Sequence, residues 1–433
     1  MNRLWSELSR ARGPIQHRFY RLRRRSQSGV ALLLVITTLL FMTVIVSEMA
    51  FAATVRMQLG AHQRDEAKAE ALASSGVRIY QLVLAASKAI GNNPMIQQVE
   101  QMLGLNLGDA LWQMIPTLNT GLLRMLFVSG GELEADDELP SSDAPNPGEL
   151  TDEEVAESRE SSGSQRNFLD FDGDFSASVT DEDRKINVSV FRASNRIELL
   201  QDPTALQLHG VMTGVRTCPG PYSLLGDSEP TSRDDLDRFF LDRNIDRWSL
   251  IGNLADWTDL DNVRLYDGGS EDSLYNRLEK NPYLPKNAPF DTLEEVRLID
   301  GWHFDDVWEK FGKNVTVYGS GKINVNTAEC DVIWGLLKSY IQPMPNDDQV
   351  YRIMQAMQEQ MAQTRFSDGN GFVSFVQSQG VQVDPKMRSL VGTESKVFRV
   401  TSSGKVQDAT VTIEAVIDYS NSAVGQIVYW RVL

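Results

Sequence analysis

The sequence predicts an α+β protein built on one long N-terminal helix, and three observations carry that prediction. Twenty-two residues, Ser26 to Ser47, bear no charge and run without a proline into helical periodicity as far as about Lys88. Apolar and polar residues alternate near 175–191 and again over 396–432, the spacing of strands with one buried face. Between those stretches, residues 196–391 carry mostly helical spacing.

The elements follow in order. Residues 1–29 form a basic leader with eight Arg and one Glu, including Arg21-Leu-Arg-Arg-Arg25. A helix over the charge-free run rises about 30 Å, the hydrocarbon thickness of a bilayer. The basic side stays in the cytoplasm, which places the rest of the chain on the far side of an inner membrane as a single-pass protein. An ordinary signal anchor has the same outline. A cleaved secretory signal fits less well: Ala50-Phe-Ala52 is a weak small-x-small match, and Gly29 stands ahead of the apolar run, directly after the basic cluster. Past Glu48 and Arg56 the helix continues, with Val55, Leu59, Ala69, Leu72, Ala73, Val77, Tyr80 and Leu84 mostly at three- and four-residue steps. Residues 30–90 therefore read as one helix, its first half in lipid and its second half packed on a domain.

Residues 91–128 read as an amphipathic helical extension broken at Pro116 and Gly121, and Pro116 and Arg124 argue against a second span. Residues 129–166 are rich in acid, Pro and Ser and poor in aromatics, the composition of a disordered acidic loop. A solvated linker is preferred there over a calcium-binding or docking tail. Phe175, Ala177 and Val179, the turn Asp181-Glu-Asp-Arg, then Ile186, Val188 and Val190 read as a hairpin. At the other end, Lys396-Val-Phe-Arg-Val-Thr, a break at Ser403-Gly404, the alternating run Ala409 to Ile417 and the final Gln426–Leu433 read as three strands. Segments 167–195 and 392–433 thus form one antiparallel sheet domain, and 196–391 is a helical domain inserted into it. Within the insertion, Val350, Ile353, Met354, Met357 and Met361 make a helical stripe, and Asp291-Thr-Leu-Glu-Glu-Val-Arg-Leu a short capped helix.

Charge and motifs narrow the function. The formal charge is −17; the leader contributes +7, leaving −17 − 7 = −24 on the remainder. So acidic a body argues against nucleic acid as a partner and fits divalent cations or basic protein surfaces. Cys218 and Cys330 face an oxidising compartment, and their pairing is left open. His17, His62, His209 and His303 are widely separated, and no HExxH or GxSxG pattern occurs. Gly319-Ser-Gly-Lys322 lacks the Ser/Thr of a phosphate loop, since Ile323 stands there. Lys322-Ile-Asn-Val-Asn-Thr-Ala328 is similar to the start of a helix-hairpin-helix module. It is followed by Glu329 and Asp331 rather than a basic cluster, and a structural turn capped by Asn324 or Asn326 is the preferred reading. Acid pairs are too many to test a glycosidase-like site by counting, and the chain reads as a non-enzyme.

Four features together resemble the K-type minor pseudopilin of the bacterial type II secretion system. The leader ends in Gly29, followed by Val30-Ala-Leu-Leu-Leu, which looks like a prepilin peptidase site. Leu34 stands where most pilin-like proteins carry Glu, and K-type members are similar in lacking it. Ala255-Asp-Trp-Thr-Asp-Leu-Asp261, Gly268-Gly-Ser-Glu-Asp272, Pro282-Tyr283 and Leu293 to Gly301 follow in family-like order, as does Gly321 to Ala328; Val428-Tyr-Trp-Arg431 is similar too. The resemblance covers about 29–90 and 170–433, not 91–165, and the leader is longer than the family pattern. It implies a pilin-like fold, cleavage between Gly29 and Val30 with methylation of the new amino terminus, and a place at the tip of a pseudopilus. The partners it implies are I- and J-type minor pseudopilins, the major pseudopilin, prepilin peptidase, and the secretin or secreted substrates. A type IV pilus minor pilin and a signal-anchored DNA-binding module are the competing readings.

Asp256, Asp259 and Asp261, with Glu271 and Asp272 ten residues on, gather the hard oxygen donors that calcium takes six to eight at a time. The spacing is not that of an EF-hand. The resemblance implies a structural calcium ion here, against the simpler reading of a solvated acidic turn. Asp170-Phe-Asp-Gly-Asp174 is a second, weaker acidic turn.

Overall fold

The computed structural model describes residues 13–91, 112, 113, 115, 117–129, 171–213, 233–276 and 282–433. Helix α1 runs from Gly13 to Gly91. The chain divides into two compact units, Met1–Ala67 and Lys68–Leu433. Helix α1 is the one described helix long and apolar enough to cross a membrane, and its apolar stretch lies in the first unit. Its Leu, Val and Phe side chains from Val30 to Phe51 are exposed. Hydroxyls on this face are satisfied within the helix: Thr38 and Thr43 donate to the carbonyls of Leu34 and Leu40, at 2.9 and 2.8 Å. Such internal bonds are what polar groups require in lipid.

In the second unit, the end of α1 lies across a five-stranded antiparallel sheet. Its strands are β1 (Thr117–Asn119), β2 (Asp174–Asp181), β3 (Val397–Val406), β4 (Ala409–Asp418) and β5 (Gln426–Val432), in that spatial order. The inward positions alternate as the sequence predicts: Phe175 and Ala177, Phe398 and Val400, Ile413, Ala415 and Ile417 pack under Val77, Tyr80 and Leu84. Two glycines set the distance between helix and sheet. A Cβ on Gly404 would lie 2.0 Å from the Ala69 carbonyl oxygen, and one on Gly76 would lie 2.3 Å from Ser402 Oγ. Gly404 is therefore a point of close approach inside a continuous β3, not the strand break read from Ser403-Gly404. The turn comes later, at Gln407, with φ 50°.

Two further expectations are corrected. Residues 117–119 pair with β2 as an edge strand, followed by helix α2 (Thr120–Ser129), where the sequence suggested a helical extension. The hairpin near 175–191 does not form. β2 pairs with β3, while Ile186–Asn187 pairs in parallel with Val315–Thr316 and Val188–Val190 is a 3-10 turn. The cause lies in Asp181, Glu182 and Asp183, which are buried rather than displayed on a turn. Asp181 accepts from Ser395 Oγ and, at 2.5 Å, from Thr327 Oγ1. Asp183 accepts from the backbone N–H groups of Lys396 and Val397 at 2.6 and 3.0 Å. Glu182 takes Arg399 Nε at 2.6 Å and Lys185 Nζ at 2.9 Å. Burial pushes Asp181 up to about 7. Burial opposes Glu182 as well, but Lys185 and Arg399 pull it down to about 2.

This acidic clasp closes the point where the inserted domain leaves and re-enters the sheet, since Asp181 lies opposite Phe398. The insertion has its own core around α3 (Pro203–Met212), α4 (Arg247–Asp256), α5 (Cys330–Tyr340) and α6 (Asp347–Gln363). Helices α3 and α5 cross at Gly210 and Gly335, where an added Cβ would meet backbone at 2.6 Å. Val350, Ile353, Met354 and Met357 of α6 are buried, as their spacing predicts. Asp291-Thr-Leu to Leu298 forms a 3-10 turn over Leu293–Leu298, with Thr292 N–H donating to Glu295 Oε1 at 3.1 Å. Cys330 is disulfide-bonded; the other cysteine, Cys218, lies outside the described residues, as does the acidic loop 129–166 from 130 onward.

Candidate metal centre

Helix α4 begins at the capping side chain of Asp246, buries Leu250, Ile251 and Leu254, and ends at Asp256. The chain then loops out and is brought back by a tight turn. Arg264 N–H donates to Gly269 O and Gly268 N–H to Arg264 O, both at 3.0 Å, with φ 70° and 92° at Gly268 and Gly269. Two consecutive left-handed residues are why glycines stand there. An isolated antiparallel bridge between Val263 and Ser270 completes the return and sets Glu271 beside the end of α4.

The result is a convergence of three carboxylates. One oxygen each from Asp256, Asp259 and Glu271 lie within 4.8 Å of one another. Asp256 is 4% exposed and Glu271 1%. Asp256 Oδ1 accepts from Leu265 N–H at 2.9 Å, whereas Asp259 Oδ1 and both oxygens of Glu271 are buried with no hydrogen-bond partner. Among the described residues no Lys or Arg forms an ion pair with any of the three. Burial first, and then neighbouring negative charge, with Asp261 acting on all three, pushes Asp256 up to about 7, Asp259 to about 6 and Glu271 to about 8. Buried carboxylate oxygens left unpaired cost several kcal/mol by general estimate, and a hard cation or a proton removes that cost. The donor set is all oxygen, which suits calcium rather than a softer metal.

The other two predicted ligands do not join this convergence. Asp261 Oδ1 accepts from Val263 N–H at 2.7 Å, and Asp272 Oδ2 accepts from Asn262 Nδ2 at 2.9 Å. Both shape the loop, and both add negative charge felt by Glu271. In the weaker acidic turn, Asp172 pairs with Lys68 and Asp174 with Arg124. Asn324 caps the turn as expected, its Oδ1 accepting from Asn326 N–H at 3.0 Å, and both asparagines also tie the turn to distant segments. Asn324 Nδ2 donates to Ser395 Oγ at 2.6 Å, and Asn326 Nδ2 donates to Phe366 O at 2.9 Å. Gly29, the predicted processing position, is exposed on α1, with nothing within 4 Å of where a Cβ would stand.

The loop, the turn and all three converging acids lie inside residues 224–320, and that segment matches the family model of type II secretion system protein K, first domain. That segment is similar to the protein K domain. This is the family that the sequence motifs resemble, and the match falls on the stretch richest in them. None of the curated proteins matches the chain. Among solved structures, a chain of the GspK-GspI-GspJ complex from the enterotoxigenic Escherichia coli type 2 secretion system is similar at 16% identity. The likeness covers 60% of this chain and 80% of that one, with a TM-score of 0.42. The matched segment lies between β2 and β3, so its acidic site belongs to the insertion and not to the sheet.

Proposed function

We propose that this chain is a K-type minor pseudopilin that occupies the tip of a type II secretion pseudopilus, where it initiates and caps the assembly. The observation that carries the reading is a segment similar to the protein K domain, spliced into an antiparallel sheet on which the end of a long N-terminal helix docks. Residues 30 to about 90 form the transmembrane and spine helix, its first half the inner-membrane anchor, with the basic leader cytoplasmic and the sheet and insertion periplasmic. Prepilin peptidase cuts between Gly29 and Val30, and the new amino terminus is methylated. Leu34 in place of a buried carboxylate suits a subunit with no neighbour above it, because a charge in lipid is tolerated only when paired. The inserted domain is too bulky to be followed by another identical subunit. Its partners are I- and J-type minor pseudopilins, by analogy with the similar GspK chain, which was solved in complex with GspI and GspJ.

In this reading the subunit is structural and carries a structural calcium ion. Asp256, Asp259 and Glu271 would hold it; its chemistry is charge neutralisation. The chain's own residues do the positioning: α4 fixes Asp256, and the Gly268-Gly269 turn returns Glu271 to it. Mass analysis of the protein from cells containing prepilin peptidase tests the membrane part of the proposal. The mature chain is expected to begin at Val30; a start at Met1 or beyond Ala52 contradicts it. Co-expression with the I- and J-type subunits is expected to give a co-purifying complex, and its absence contradicts the tip assignment.

A further inference from the structure

We propose that the outer edge of β5 takes up a strand from another protein, and that Arg431 selects one with an acid set between two apolar residues. The sheet ends at β5: among the described residues it pairs with β4 and with no strand beyond. Leu433 N–H donates to Thr412 O at 2.8 Å. In an antiparallel pair, residues bonded to the neighbour alternate with residues turned away from it. Arg431 and Tyr429 therefore bond to β4, and Val432 and Trp430 turn their N–H and C=O groups to the open side. A bulge, where the register shifts between Val416 and Ile417, limits this regular edge to residues 429–433. The edge lacks the usual protection. Its only charged side chain is Arg431, no Pro interrupts it, and Trp430, Val432 and Leu433 are 39%, 46% and 59% exposed.

The side chains define the partner. Trp430 and Val432 stand opposite Ala415 and Ile413, on the face of the sheet that α1 covers, and Arg431 stands opposite Glu414 on the other face. Ile413-Glu414-Ala415 is thus the pattern that β5 already accepts on its inner side, and a strand on the outer side meets the same side chains of β5. Arg431 is half exposed, with Glu294 at 3.3 Å from one of its nitrogens. A second copy of this chain does not fit. The antiparallel register that uses both outward residues of each copy sets Trp430 against Val432 and Arg431 directly against Arg431, and like charges directly opposite destabilise a pair. A strand added to an exposed sheet edge draws affinity from main-chain bonds and specificity from alternate side chains. The occupant is therefore an extended segment of a different protein, patterned apolar-acid-apolar. The proposal is independent of the cation reading above.

The test uses the full-length protein in detergent and, as the probe, a synthetic peptide of the β4 sequence, Ala409 to Asp418. Saturable binding is expected, with slower hydrogen exchange in 426–433 because the Trp430 and Val432 amides become bonded. The same peptide carrying Glu414→Lys is expected to bind about fivefold more weakly at low salt. Val432→Pro removes an outward N–H and leaves the β4 ladder intact, as a Pro at a sheet edge can. It is expected to weaken peptide binding about tenfold without lowering Tm. Trp430→Lys, which sets a charge on the edge, is expected to weaken binding as well. No saturable binding overturns the proposal, as does binding that leaves exchange in 426–433 unchanged, because the peptide then sits elsewhere or replaces β4. Wild-type peptide affinity in both variants also overturns it. Equal affinity for the two peptides removes Arg431 as the selecting residue. Self-association of the wild type that Val432→Pro abolishes makes a second copy the occupant and overturns the proposal too.

Discussion

Replacing Glu271 by Gln keeps the shape of the buried side chain and removes one of three converging charges. Two consequences follow, with opposite signs. In the absence of calcium the wild type holds carboxylates whose pKa values are raised, to about 7, 6 and 8 for Asp256, Asp259 and Glu271. Between the unfolded values near 4 and these folded values, the native state binds more protons than the unfolded chain. Stability therefore falls as pH rises from about 5 to 8. Glu271→Gln deletes the most strongly raised of the three, so the calcium-free variant melts higher than wild type at pH 8 and loses stability less steeply with pH. With calcium the order reverses. At a free concentration a hundredfold above Kd, binding stabilises the native state by about 2.7 kcal/mol. For the body Lys68–Leu433, at about 2.1 cal/mol/K of unfolding entropy per residue, that corresponds to roughly 3–4 °C in Tm. The variant loses most of that shift. Thermal melts of both proteins, with chelator, calcium or magnesium at matched ionic strength and at pH 5, 6.5 and 8, read out all four corners. A calcium shift retained in Glu271→Gln refutes the reasoning, as does a calcium-free wild type whose Tm is flat from pH 5 to 8.

Two further substitutions test the frame that holds the site. Gly404→Ala places a methyl 2.0 Å from the Ala69 carbonyl and is expected to lift α1 from the sheet, destabilising by about 1–3 kcal/mol or more and exposing 68–91 to limited proteolysis. Arg399→Met leaves Glu182 buried with only Lys185 as a cationic partner, at an expected cost of about 3–5 kcal/mol in chemical denaturation. The variant's loss should shrink below about pH 4, because Glu182 ionises at about 2 in the native protein and its charge-dependent stabilisation is lost as pH falls through that value.

Much of this architecture is legible in the sequence because it rests on periodicity. The α1 stripe, the alternation in β2 and β4, and the Val350–Met357 face each follow from which positions must be apolar. What is hidden depends on tertiary contact. Gly404 looks like a break until the helix above it is seen, and Asp181-Glu-Asp looks like a solvated turn until Ser395, Thr327, Lys396 and Arg399 arrive from the far end of the chain. Leu118 sits in an apolar run that reads as helix, yet its place is at the sheet edge. At the candidate site, clustering marks the acids, but backbone hydrogen bonds decide that Asp256, Asp259 and Glu271 converge while Asp261 and Asp272 shape the loop.

The central claim, that this subunit ends a pseudopilus, is tested most directly by labelling it in assembled filaments. Immunogold electron microscopy with antibody against the 233–276 region, on pseudopili assembled with this chain present, reads its position outright. The account predicts gold at one end of each filament and none along the shaft. Label distributed along the shaft, or filaments of unchanged number carrying no label when the protein is deleted, would contradict it.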